Sequence, residues 1–121
     1  MAKLLVVDDN QSICQLIVDF FCDLKGHTVY STQVPADAPA LVREHDPDLA
    51  LLDVMMPDIH GLDLLKQLRE IKPDLKVIMI TAVDDEDIAR EAMERGAVDY
   101  VTKHLDLNYL DTQVTFQLMS E

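Results

Sequence analysis

Residues 49–61 read Leu49-Ala50-Leu51-Leu52-Asp53-Val54-Met55-Met56-Pro57-Asp58-Ile59-His60-Gly61. An unbroken apolar run stops at an acid, turns through a proline, and leads into a helix-length segment from about Leu62 to Ile71. Continuous apolar runs of this length belong to strands covered on both faces, as in a parallel sheet.

The same alternation extends in both directions. Upstream, the run Leu4 to Val7 precedes a helical face of Ile13, Leu16, Ile17, Phe20, Phe21 and Leu24 at a 3.6-residue period. A more polar strand, Thr28 to Thr32, then precedes a helix from about Asp37 to His45. Pro39 lies in that helix's first turn, where its missing N–H would have no partner anyway. Downstream, the strand Val77 to Ile80 precedes a helix opened by Asp84, Asp85, Glu86 and Asp87, acids suited to the positive end of a helix dipole, and closed by Gly96. A short strand, Val98 to Thr102, leads to a last helix beginning near Asp106 that buries Leu107, Leu110, Val114 and Leu118.

Strands alternating with helices predict an α/β fold: a five-stranded parallel sheet, doubly wound with five helices. The apolar first, third and fourth strands belong in the middle, and the polar second and short fifth at the edges. This fits the order 2-1-3-4-5. Residues 1–121 read as a single domain without internal repeat or linker.

Ten basic against 23 acidic residues give a net charge of −13, which repels phosphate backbones and anionic lipid. Direct nucleic-acid or membrane binding by this segment is not expected. No uncharged apolar run approaches the roughly 20 residues of a membrane span, and there is no signal-peptide layout, so a cytoplasmic location is expected. Cys14 and Cys22, on one helix, are separated by about 12 Å along its axis, too far for a disulfide. Both read as small buried apolar groups. With His27, His45, His60 and His104 scattered, no zinc site is expected.

Open α/β sheets bind ligands beyond the carboxyl ends of their strands. Asp8 and Asp9 follow the first strand, Asp53 the third, Thr81 the fourth and Lys103 the fifth. Three carboxylates, a hydroxyl and an ammonium therefore meet on one rim. Any one of these acids could be a helix cap, and Thr81 or Lys103 alone would be an ordinary strand or surface residue. The set is another matter, because a unit-charge pair at 4 Å repels by roughly 4 kcal/mol at an effective dielectric of 20. A hard, oxygen-seeking divalent cation is called for, and Mg²⁺ is the natural occupant.

Val6-Val7-Asp8-Asp9-Asn10, Asp53-Val54-Met55-Met56-Pro57 with Gly61, Met79-Ile80-Thr81-Ala82, Gly96-Ala97-Val98-Asp99-Tyr100 and Lys103 resemble, in order and over essentially the whole chain, the response-regulator receiver domains of two-component phosphorelay systems. The resemblance implies a flavodoxin-like receiver fold and a signalling phosphoacceptor, catalysing only its own phosphorylation and slow dephosphorylation. Asp53 would be the phosphorylation site, with Asp9, Asp53 and the Met55 carbonyl on Mg²⁺ and Asp8 supporting through water. Lys103 would pair with the phosphoryl group, and Thr81 and Tyr100 would form the switch. The donor would be a histidine kinase or a histidine phosphotransfer protein. Ala82 is small enough to leave the phosphorus accessible, and apolar Met55 and Val83 imply poor positioning of an attacking water and a long-lived signal.

One departure is Lys103-His104 where the family usually has Lys-Pro. A cis bond before a non-proline residue costs about 2.5–4 kcal/mol, so a trans peptide is expected. A flavin-binding module would share the fold, but Asp8 and Asp9 would repel a flavin phosphate. A phosphohydrolase acting through an aspartyl-phosphate would need a substrate-covering cap for which no segment is spare. On the last helix, Leu105, Tyr109, Thr112, Phe116 and Met119 gather opposite the core stripe, and residues 105–121 contain no Lys or Arg. That stripe is expected to contact an output domain, a protein partner or a second copy by apolar packing.

Overall fold

The computed structural model describes residues 2–56, 59–81, 86–103 and 105–119. Its strands are β1 (Lys3–Val7), β2 (Thr28–Thr32), β3 (Leu49–Asp53), β4 (Lys76–Thr81) and β5 (Asp99–Thr102). They form one sheet in the order β2-β1-β3-β4-β5, with every pairing parallel. The helices are α1 (Gln11–Asp19), α2 (Ala38–His45), α3 (Gly61–Ile71), α4 (Glu86–Glu94) and α5 (Leu107–Met119). Fold class and strand order are those expected from the sequence.

Alternation along the strands divides the core. Leu5, Val7, Ala50, Leu52, Val77 and Met79 pack with Val42 of α2, Leu64, Leu65 and Leu68 of α3 and Ala92 of α4. Leu4, Val6, Leu49, Leu51, Ile78 and Ile80 point the other way, onto Ile17 and Phe21 near α1 and Leu110 and Val114 of α5. β3 is buried throughout, and β1 and β4 from their second residue on, because helices cover both faces, which is why these strands carry no polar alternation. Gly96, at φ +107°, supplies the left-handed turn after α4.

The helix after β1 departs from the expected single periodic face. After Asp19 it widens into a π-helical turn, Phe20–Leu24, which buries the adjacent Phe20 and Phe21. The widened turn shifts the angular phase of its own later residues, so Leu24 faces solvent, and Leu16 at the margin of the buried stripe is exposed too. Cys22 is likewise exposed, whereas Cys14 is buried as expected, and both thiols are free. In the last helix Leu110 and Val114 are fully in the core, Leu107 and Leu118 are partly buried, and Tyr109, Thr112, Phe116 and Met119 are exposed. Leu105 instead packs against the α1–α5 side of the core. The acids Asp84 and Asp85 lie outside the described residues.

Candidate functional site

Parallel strands end on the same rim, and the register brings their ends into line. Val7 pairs with Leu52, Asp53 with Ile80 and Thr81 with Thr102, so Asp8, Asp53, Thr81 and Lys103 follow one another across the sheet. Asp8, Asp53 and Thr81 are buried and Asp9 is exposed. Carboxylate oxygens of Asp8, Asp9 and Asp53 lie within 4.8 Å of one another.

The capping alternative for Asp8 and Asp53 is excluded by the helix termini. Asn10 caps α1, its Oδ1 accepting from the Ile13 amide at 3.1 Å. His60 caps α3, its Nδ1 accepting from the Leu62 amide at 3.1 Å. Asp8 Oδ1 accepts from the Asn10 amide at 2.9 Å, while Asp8 Oδ2 is buried with no hydrogen-bond partner. Asp53 Oδ1 accepts from the Met55 amide at 3.3 Å, and its Oδ2 from Lys103 Nζ at 3.0 Å.

One ammonium does not balance this much acid. Burial pushes the Asp53 carboxyl up to about 7, against the Lys103 hydrogen bond and with Asp8 and Asp9 adding to the rise. Burial also raises Asp8, over the opposing Asn10 amide and the Lys103 charge. On Lys103 burial works against the charge, but the bond to Asp53 and the neighbouring carboxylates outweigh it and raise its pKa. An orphaned, buried Asp8 oxygen beside two further carboxylates is a hard oxygen donor set short of positive charge, and it fits Mg²⁺.

Of the predicted site residues, Asp8, Asp9, Asp53 and Lys103 come together. Thr81 closes β4, its carbonyl accepting the Lys103 amide at 2.8 Å and so tying the lysine's strand end to its own. Tyr100 sits opposite Met79 in the register and is 42% exposed. Met55 has an exposed side chain, and its backbone forms an antiparallel bridge with His60. Ala82, Val83 and His104 lie outside the described residues, and with them the Lys103–His104 peptide.

Two contributors escaped the sequence reading. His60 holds the N-cap place immediately before Gly61 and the helical run, but histidine is not among the usual capping residues, so its position alone could have pointed to it. Gln113 falls three residues after core Leu110 and is itself buried, donating to Asp99 Oδ2 at 2.7 Å and to the Tyr100 carbonyl at 3.4 Å.

Residues 4–115 match the family model described as the response regulator receiver domain. The chain belongs to that family, the phosphoacceptor signalling domains of two-component systems. It is 36% identical over 119 residues to the DNA-binding transcriptional regulator NtrC of Azospirillum brasilense, covering 98% of this chain and 24% of that protein. To the response regulator GacA of Pseudomonas aeruginosa it is 36% identical over 104 residues, covering 85% of this chain and 49% of that protein. The chain thus spans half or less of the curated relatives it matches. Among solved structures, the receiver domain of the Francisella response regulator 1452 superposes with a TM-score of 0.89 at 30% identity, covering 98% of this chain and 97% of that one. Among the described residues no helix is long and apolar enough to cross a membrane.

Proposed function

We propose that Asp53 accepts a phosphoryl group from the phosphohistidine of a histidine kinase or histidine phosphotransfer protein, and that residues 1–121 act as one receiver unit controlling a partner or output domain. The observation that carries this is the Asp53 carboxylate, buried at a strand end, held by Lys103 at 3.0 Å and set beside a buried Asp8 oxygen with no partner.

A carboxylate oxygen of Asp53 attacks phosphorus, a P–O bond forms, the P–N bond of the donor breaks, and the released imidazole takes up a proton. Asp9, Asp53 and the Met55 carbonyl would hold Mg²⁺, with Asp8 supporting through water. Bound there, the ion supplies charge neutralisation on the transferring oxygens. Lys103 adds its ammonium on the Asp53 side. Thr81 donates its hydroxyl to a phosphoryl oxygen, and Tyr100, which is 42% exposed, turns inward as that strand end closes. The apolar side of α5 then serves the output, whether a domain, a protein partner or a second copy. The chain is a signalling phosphoacceptor that acts only on its own acyl phosphate, with slow hydrolysis expected from the apolar character of Met55 and Val83 in the sequence.

The test is covalent. With Mg²⁺ and a small phosphodonor, the intact protein should gain one phosphoryl group that is lost in mild base or hydroxylamine, and Asp53→Asn should gain none. Unchanged modification of that variant refutes the assignment.

A further inference from the structure

Val54 and Met55, just after β3, are held from the start of α3. His60 is fixed to the first turn of α3 twice over: its Nδ1 accepts the Leu62 amide, and its carbonyl accepts the amides of Asp63 at 3.0 Å and Leu64 at 3.1 Å. Its backbone is also bridged to Met55. The next residue, Gly61, presses directly on the end of β3, its amide donating to the Val54 carbonyl at 2.6 Å. A Cβ at Gly61 would overlap the Asp53 carbonyl oxygen and stand 2.6 Å from Val54 Cα. Helix α3 is itself anchored in the core by Leu62, Leu64, Leu65 and Leu68.

From these contacts we infer that His60 is a positioning residue for the cation site, fixing the Met55 backbone to the rigid first turn of α3. The inference rests on the reading of the Met55 carbonyl as a ligand. Gly61 sets how closely the helix approaches Asp53 and Val54; His60 carries that constraint on to Met55. The Met55 amide is also held by Asp53 Oδ1; the tie to the helix terminus is a second restraint on the same segment, and each restraint leaves less for the ion itself to order. An ordinary N-cap would stabilise α3 and leave affinity for the ion unchanged in the folded protein, and this separates the two roles.

The experiment is a calorimetric Mg²⁺ titration of the wild-type chain, His60→Ala, His60→Gln and His60→Asn, well below their melting temperatures. Alanine and glutamine, which lack a short cap acceptor, should weaken Mg²⁺ binding by roughly fivefold. Asparagine, which restores one, should return it to within about twofold of wild type. Glutamine keeps side-chain bulk and stands in for alanine should that variant fail to fold. Unchanged affinity in the alanine or glutamine variant overturns the proposal, as does equal weakening in all three. Absence of Mg²⁺ binding by the wild-type chain is a distinct result, refuting the cation-site reading and this inference with it.

Discussion

Lys103 Nζ lies 3.0 Å from Asp53 Oδ2, fifty positions apart in sequence, with only β4 between their strands. The pair is lopsided: the aspartate side chain is 1% exposed and the lysine side chain 30%. Lys103 therefore restrains the upward push of burial on Asp53 without cancelling it. Lys103→Ala should raise the Asp53 pKa further in the metal-free protein, read by carboxyl-carbon NMR titration. It should also slow phosphoryl uptake from a small donor, on the order of a hundredfold by analogy with loss of one charge-stabilising donor. An unshifted titration would show that the contact does not act on Asp53.

The acid cluster should make metal-free stability fall as pH rises. Asp53 is raised to about 7, and Asp8 is raised as well, so the folded chain holds protons that the unfolded chain, with ordinary carboxyls near 4, would release. A group raised on folding stabilises fully below its unfolded pKa and loses that contribution as pH climbs through its folded value. Relative to Asp53→Asn, the wild-type melting temperature should thus decline between about pH 4 and pH 7. At pH 8 without metal, Asp53→Asn and Asp9→Asn should each melt higher than wild type, and Mg²⁺ should stabilise wild type more than either. Thermal melts across pH, with and without Mg²⁺, decide it; a flat difference would mean that the carboxylates are not coupled to folding.

Gly61→Ala should be destabilising even though alanine favours helices. Its methyl would meet backbone, at Asp53 and Val54, which cannot swing aside as a flexible side chain could. Overpacking of this kind costs about 1–3 kcal/mol. Denaturant unfolding should show that loss, and a neutral substitution would mean that α3 can shift away from the strand end.

The exposed apolar stripe of α5 should be dispensable for the chemistry and needed for output. Tyr109, Phe116 and Met119 are 60%, 65% and 78% exposed, and residues 105–121 bear no basic side chain with which to form a salt-bridged interface. Tyr109→Glu combined with Phe116→Lys should abolish association of the phosphorylated chain with its partner or with itself, measured by sedimentation, while Asp53 modification proceeds normally. Intact association in the double variant would place the interface elsewhere.

The amino-acid order alone specifies the alternation of strands and helices, the burial of the central strands and the convergence of Asp8, Asp9, Asp53 and Lys103. All of these follow from local hydrophobic period and from parallel strands sharing one carboxyl rim. It also marked Gly96, because a left-handed turn after a helix is a local demand. The rest came from packing between segments distant in the chain. The π-helical turn after α1 turned Leu24 and Cys22 outward, since the fit of Phe20 and Phe21 against the sheet outweighed an even helical period. Gln113 is buried with its Nε2 on Asp99 and the Tyr100 carbonyl and its Oε1 without a partner, a relation between strand and helix that no periodicity encodes. Likewise Asn10 and His60, by capping their helices, leave Asp8 and Asp53 to the site, and the orphaned Asp8 oxygen appears only when the ends of β1 and β3 are brought together. Local propensity reports what each segment can do; which polar groups end up satisfied, and which are left wanting a cation, depends on neighbours distant in the chain.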